Sequence, residues 1–282
     1  MKLAALSPAL KAEIQEFLKL GIPLASAQVA QAMTGFVDTL MMGRLGQTSL
    51  AAGGLAVMVL MACVMTGIGI VSSVSPLASE AYGAHRPRRV GQITRQGLWL
   101  AVLITVPVWP LLANFSQVMP ALGQDPEVVA LTHTYLTIAR WGFLPALWFA
   151  VLRCTVTALS RARPILFIMV GANLFNVVGN YVLAFGKLGL PPMGLAGLAI
   201  ASALSHLIMG AGLMGYVVYH RRGLFRPSQL FDPWSRWQPQ TLRRLLSLRL
   251  PIGVVTILDN GLFTVMTLMV GALGTAVPAP HP

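Results

Sequence analysis

The sequence predicts an all-α polytopic membrane protein, built as one complete six-helix lobe plus the first helix of a second, parallel-repeat lobe. Three observations carry that prediction. Hydrophobic residues make up 56% of the 282-residue chain and charged residues only 10%, with a mean hydropathy of +0.72, a balance foreign to water-soluble domains of this size. Seven windows hold the roughly 20 mostly apolar residues needed to cross ~30 Å of hydrocarbon. Finally, TLMMGRLG at 39–46 returns as TLMVGALG at 267–274, and at the same offset Pro23 answers Pro251 while Gly43 and Gly46 answer Gly271 and Gly274.

The windows cover residues 17–42, 51–76, 96–118, 131–154, 164–185, 193–219 and 249–273. Only helices and closed barrels satisfy every backbone group in lipid, and these runs lack the alternation of a barrel strand. The first run continues to full spanning length with Gly43 and Arg44 after it, unlike a cleaved signal peptide. The first helix is therefore retained.

A formal charge of +12 would suggest nucleic acid in a soluble protein, but its placement gives another reading. Lys2, Lys11 and Lys19 precede the first span. Arg86, Arg88, Arg89 and Arg95 follow the second, Arg153, Arg161 and Arg163 follow the fourth, and seven arginines from Arg221 to Arg249 follow the sixth. The other connections carry only Arg44 or Lys187, and the one between spans three and four has Asp125 and Glu127 with no Lys or Arg. Alternation of this kind is the positive-inside pattern, which sets the N-terminus in the cytoplasm and excludes a nucleic-acid partner.

Six spans per repeat is an even number, so the second copy starts on the same side as the first and the repeats are parallel. The expected organisation is a lobe over 1–219, a linker over 220–248 and the first helix of a second lobe over 249–282. The linker holds Trp234 and Trp237 among arginines, then TLRRLLSLRL, an amphipathic segment suited to the cytoplasmic headgroups. The terminal TAVPAPHP lacks the apolar run that LAAGGLAVMVL supplies after the first copy. The second copy is expected to be cut short.

Candidate chemistry lies inside the spans. Of eight acidic residues, only Asp38 and Asp259 fall within apolar windows, on the two helices that the repeat makes equivalent. An ionised carboxylate at mid-helix costs about 2.5–3.5 kcal/mol even on the lenient insertion scale, so its presence asks for a function. Gln31 and Thr34 stand seven and four residues before Asp38 and share its face. Asn173, Asn176 and Asn180 align along one side of the fifth span, where amides can coordinate a cation, hydrogen-bond a carboxylate or simply glue helices together. Arg140 is the one cation inside a span, placed to pair with a carboxylate or to snorkel outward. His133 and Tyr135 are expected at that outer interface, His206 as a hydrogen-bonded core residue, and GLAGLAIASALSH at 194–206 as a close-packing surface. Met41, Met42, Met58, Met61 and Met65 would line an adaptable cavity if they face inward, or pack if they do not. Cys63 and Cys154 sit in separate spans and suggest packing, with neither a disulfide nor a metal site. No nucleophile with an adjacent base, phosphate-cradling loop or ligand cluster marks an enzyme.

At these residues the chain resembles the multidrug and toxic compound extrusion family, in its bacterial multidrug branch. The motifs are TGFVDTLMMGRLG around Asp38, SPLASEAYGAHRPRRVGQITRQGLWLA at 75–101, NVVGNYVLAFGKLGLPPMGLAGLAIASALSH at 176–206 and LPIGVVTILDNGLFTVMTLMVGALGT at 250–275. The resemblance implies twelve helices in two lobes around a cleft, exporting amphipathic, often cationic small molecules in exchange for Na+ or H+ across the bacterial inner membrane. No cofactor is implied beyond that coupling ion, and no oligomeric state. It implies Asp38, Asn176 and Asn180 as a cation or proton site in the first lobe. Asp259 resembles the acidic residue of the second-lobe site, where many relatives carry Glu. Gln31, Thr34 and Met41 are expected along the substrate cleft. A fragment without transport activity, a flippase for lipid-linked substrates and an intramembrane enzyme are the competing readings.

Overall fold

The computed structural model describes residues 8–220 together with Thr241 and Leu245. Most of the predicted linker, the seventh span and Asp259 lie outside the described residues. Among the described residues every element is helical, as the apolar windows require.

Helix α1 spans Pro8–Arg44 and α2 spans Gln47–Val71. Gly46 makes the tight turn between them at φ 120°, in the region where only glycine is unstrained, and Leu45 N–H donates back to the Met41 carbonyl. The second glycine of the repeated motif is therefore a turn residue.

The second window predicts one helix, but the chain turns at Ser72 and Ser73 before α3, Val74–Gly83. Pro76 has no N–H for the Ser72 carbonyl and its ring crowds that position. The Ser72 and Ser73 hydroxyls donate to Gly69 and Ile70 carbonyls at 2.7 and 3.0 Å and close the end of α2. Helix α4, Pro87–Asn114, returns across the bundle.

The fourth window also divides, into α5 (Pro126–Ala139), a 3₁₀ turn (Arg140–Gly142) and α6 (Phe143–Ala158). Pro145 accounts for the break, since it cannot donate to the Trp141 carbonyl four residues earlier. Helix α7 is Arg163–Phe185 and α8 is Gly194–Tyr219. Five segments are long and apolar enough to cross a membrane: 47–83, 87–117, 126–158, 163–185 and 194–219. Helix α1, carrying Gln28, Gln31, Thr34 and Asp38, is the long helix outside that set.

Helices α1, α7, α8, α5 and α2 each contact the next around the bundle, with α6 continuing α5 and α4 packed against α2, α3 and α6. Small residues set the α7–α8 approach. A Cβ on Gly197 would stand 2.6 Å from the Leu183 carbonyl carbon, and one on Gly179 would press on Ala201 at 3.2 Å. At the other end of α8, the Pro145 carbonyl oxygen occupies the space of a Gly210 Cβ, 2.9 Å away. The stretch predicted for close packing does pack closely, and it draws polar groups on α7 and α8 within reach of each other.

Apolar packing fixes the remainder. Leu100, Leu136, Leu147, Val151 and Leu198 are fully buried where α4, α5, α6 and α8 meet. Phe149, Leu152, Ile165, Leu213 and Val217 form a second cluster between α6, α7 and α8. Cys63 and Cys154 are not joined in a disulfide, and both pack against the first cluster.

Candidate functional site

Four helices converge on a chain of polar side chains inside the bundle. Asn180 donates through Nδ2 both to Asp38 Oδ1 and to Asn176 Oδ1, the latter at 3.0 Å. Asn176 Nδ2 reaches Ser202 Oγ on α8 at 3.4 Å. The Tyr135 hydroxyl on α5 engages Ser202 in turn, and it is near enough to Asp38 for the two to interact electrostatically. Residues from α1, α5, α7 and α8 are thus joined in one network.

The helical repeat explains this geometry. Asn176 and Asn180 are one turn apart and face the same way, while Gly179, Gly197 and Ala201 bring α8 close enough for Ser202 to meet them. Asn180 is fully buried, Asn176 nearly so, and Asp38 is half-buried at the edge of the group. Met33, Phe36 and Leu40, exposed on α1, lie on the far side of that helix from Asp38.

One polar atom of this network is unspent. Asn180 Oδ1 is buried without a hydrogen-bond partner, and so is Asn173 Nδ2 one face-length earlier on α7. Asn173 shares the predicted stripe but is not joined to Asp38. An orphaned amide oxygen beside a carboxylate is a donor set suited to a small hard cation or a shared proton.

The expected cleft residues lie along the Asp38 stripe of α1 and differ in burial. Thr34 is buried and its hydroxyl donates to its own helix at the Ala30 carbonyl, 3.0 Å away. Met41 is partly buried against the main apolar cluster. Gln31 is half-buried one turn before Thr34. Met42 is buried and Met65 exposed, so the methionines share no single face.

Tyr135, set by the sequence reading at the outer interface beside His133, differs from that histidine in burial. His133 is exposed, but Tyr135 is 2% exposed. Helix α5 starts earlier than the apolar window, at Pro126, where Asp125 caps it by accepting from Glu127 N–H at 2.8 Å. Nine residues at 1.5 Å each then put Tyr135 about 14 Å along α5. Ser202 was hidden in a run of Ala and Gly and gave no chemical signal. His206 is partly buried, bonded to the Ser202 backbone and packed beneath Gly142.

Arg140 pairs with no carboxylate of the described residues. Its guanidinium carbon stands 5.4 Å from the centroid of the Trp109 ring, and Trp109 Nε1 donates to the Arg140 carbonyl at 3.0 Å. The 3₁₀ turn frees that carbonyl for the indole. No group of three or more metal-ligating His, Cys, Asp or Glu side chains occurs among the described residues.

A helical bundle with five helices long and apolar enough to cross a membrane, and a half-buried carboxylate set against amides, defines the class, a polytopic membrane protein. The family follows from comparison with known proteins. The MatE family model matches residues 23–182, and the chain belongs to that family. It is 48% identical over 272 residues to the probable multidrug resistance protein NorM of Synechocystis sp., and 44% identical to that of Synechococcus sp.. Those alignments take in 96% of this chain but 59% and 58% of the relatives. The chain spans somewhat more than half the length of the curated proteins it matches.

Solved structures share the fold at lower identity. The eukaryotic MATE transporter AtDTX14 superposes with a TM-score of 0.82 at 20% identity, covering 93% of this chain and 57% of that one. An outward-facing MATE family transporter of the MOP superfamily gives 0.71 at 21% identity, covering 87% and 52%.

Proposed function

We propose that this chain forms the first lobe, residues 1–219, of a cation-coupled antiporter that exports amphipathic, often cationic compounds across the bacterial inner membrane. The N-terminus is cytoplasmic, residues 220–248 are the linker along the headgroups, and 249–282 begin the second lobe, with Asp259 in its cation site. The observation that carries this reading is the Asn180 amide, which donates both to Asp38 and to Asn176 inside the bundle. Relatives named as multidrug resistance proteins support it.

Each coupling ion has a defined effect on that network. Asn180 Nδ2 points at Asp38, an arrangement that suits an ionised carboxylate, which only accepts hydrogen bonds. A proton on Asp38 makes it a donor, and the orphaned Asn180 Oδ1 then becomes its natural acceptor after the amide turns over. A Na+ ion would instead be held by Asp38 and that same Oδ1. Either event reverses which end of the amide faces α1, releases the bond to Asn176 and changes how α1 sits on α7. Ligand-dependent bias of this kind is what couples an ion gradient to alternating access.

Efflux of a cationic dye tests the proposal, in cells expressing the chain fused to the second lobe of the Synechocystis relative. Gradient-dependent efflux is expected from the parent fusion and none from Asp38→Asn. Normal efflux from Asp38→Asn would remove Asp38 from the mechanism.

A further inference from the structure

The connection between α7 and α8, residues 186–193, carries its apolar side chains outward. Leu188 is 88% exposed, Leu190 44% and Met193 41%, and Pro191 and Pro192 are exposed with them. Leu188 also holds φ at 58°, a left-handed conformation that costs a residue with a Cβ and suits glycine or asparagine. Backbone and solvation therefore both disfavour a leucine at this place in water, and nothing among the described residues covers it.

The turn is braced in that conformation. Gly186 ends α7 at φ 67°, and the Lys187 N–H donates to the Val182 carbonyl at 3.0 Å. Leu190 N–H donates to the Lys187 carbonyl at 3.3 Å and Met193 N–H to the Leu183 carbonyl at 3.0 Å, while Pro192 fills the space where a Gly186 Cβ would stand.

Its place relative to a bilayer follows from the spans it joins. Segments 163–185 and 194–219 are both long and apolar enough to cross, one directly after the other, so the chain between them lies at a membrane face. At 1.5 Å per residue these helices are about 35 and 39 Å long, against ~30 Å of hydrocarbon and ~40–45 Å with the headgroups. Helices of those lengths end within the headgroup layer, and the turn lies there with them. The connection between 87–117 and 126–158 stands on the same face by alternation. It leads into the exposed carboxylates of Asp125 and Glu127, whereas the 186–193 turn has Lys187 as its only charge.

We propose that the 186–193 turn docks in the lipid interface of that face, with Leu188 and Leu190 entering the boundary between headgroups and acyl chains and the Lys187 ammonium meeting lipid phosphates. There the leucines leave water while the lysine stays hydrated. Two features select lipid over a protein partner: the turn is continuous with two spanning helices, and its single charge complements phosphate. This surface is separate from the Asp38 network and independent of the transport reading.

Nitroxide accessibility of the 282-residue chain in vesicles of phosphatidylcholine and phosphatidylglycerol tests this. Labels are placed one at a time at Leu188→Cys, Leu190→Cys and Glu127→Cys in a Cys63→Ala, Cys154→Ala background, so that only the introduced thiol reacts. Collisions with lipid-soluble oxygen should exceed those with aqueous nickel-EDDA at least threefold at 188 and 190, and the order should reverse at 127. Leu188→Asp should cut the ratio at the 190 label at least threefold, and Lys187→Glu should cut it about twofold. Labels at 188 and 190 that collide more with nickel-EDDA lie in water, and immobilised labels shielded from both reagents lie against protein. Either result would overturn the proposal, as would an unchanged ratio in Leu188→Asp or Lys187→Glu. Should the cysteine-free chain not fold, Leu188→Trp read against the parent takes its place: quenching by brominated acyl chains is expected, and quenching by aqueous iodide alone overturns the proposal.

Discussion

Asp38 and Arg140 are both ionisable residues in the helical bundle, and their surroundings differ. Asp38 is met by the Asn180 amide on another helix, which can turn over and leads through Asn176 to Ser202 and Tyr135. Arg140 is met by one rigid indole that holds both its side chain and its carbonyl. The first arrangement has several nearly equivalent hydrogen-bonding states and can respond to an ion. The second has one and can only anchor. What distinguishes a switch from an anchor here is the number of alternative partners, since both charges sit in helices that otherwise face oil.

That contrast can be broken first at Asp38. Asp38→Asn removes the only charge from the network, and gradient-driven dye efflux by the two-lobe fusion should be lost. Next comes the packing that assembles the site. Gly197→Val would drive a side chain into the Leu183 backbone, an overpacking that costs at least 1–3 kcal/mol, and monodisperse protein should be lost in size-exclusion chromatography. Gly171→Ala on α7 faces open space and should leave the elution profile unchanged.

Smaller effects sharpen the comparison. Asn180→Ala deletes a hydrogen bond to a charged group, typically about 1.5–3 kcal/mol; retention of low efflux, roughly a tenth of parent, separates it from Asp38→Asn. Tyr135→Phe removes only the far end of the chain, and a contact between membrane helices averages about 0.6 kcal/mol. Efflux should fall two- to threefold. Smallest of all, Trp109→Phe keeps a ring under Arg140 but loses the indole N–H, and the melting temperature should drop by a few degrees with efflux unaffected.

Much of this was legible in the sequence. A carboxylate in an apolar run is conspicuous, and asparagines at 173, 176 and 180 declare a shared face through the helical period alone. The small residues of 194–206 announced close packing, although not that the packing would deliver Ser202 to Asn176. Tyr135 and Ser202 were not legible because a hydroxyl in a helix can bond its own backbone, as Thr34 does, and so carries no signature. The start of α5 was hidden as well, since hydropathy shows where apolar residues begin and not where Asp125 caps the helix. The breaks at Ser72–Ser73 and Arg140–Gly142 were written in Pro76 and Pro145, each acting on the carbonyl four residues before it. Averaging over a spanning window erases such local interruptions.

Infrared difference spectroscopy of the purified chain, recorded on adding Na+ or lowering pH, tests the central claim most directly. One carboxyl band should respond to the ion, disappear in Asp38→Asn and shift in Asn180→Ala. A spectrum identical in the parent and Asp38→Asn would show that this carboxylate takes up neither ion, and would contradict the account.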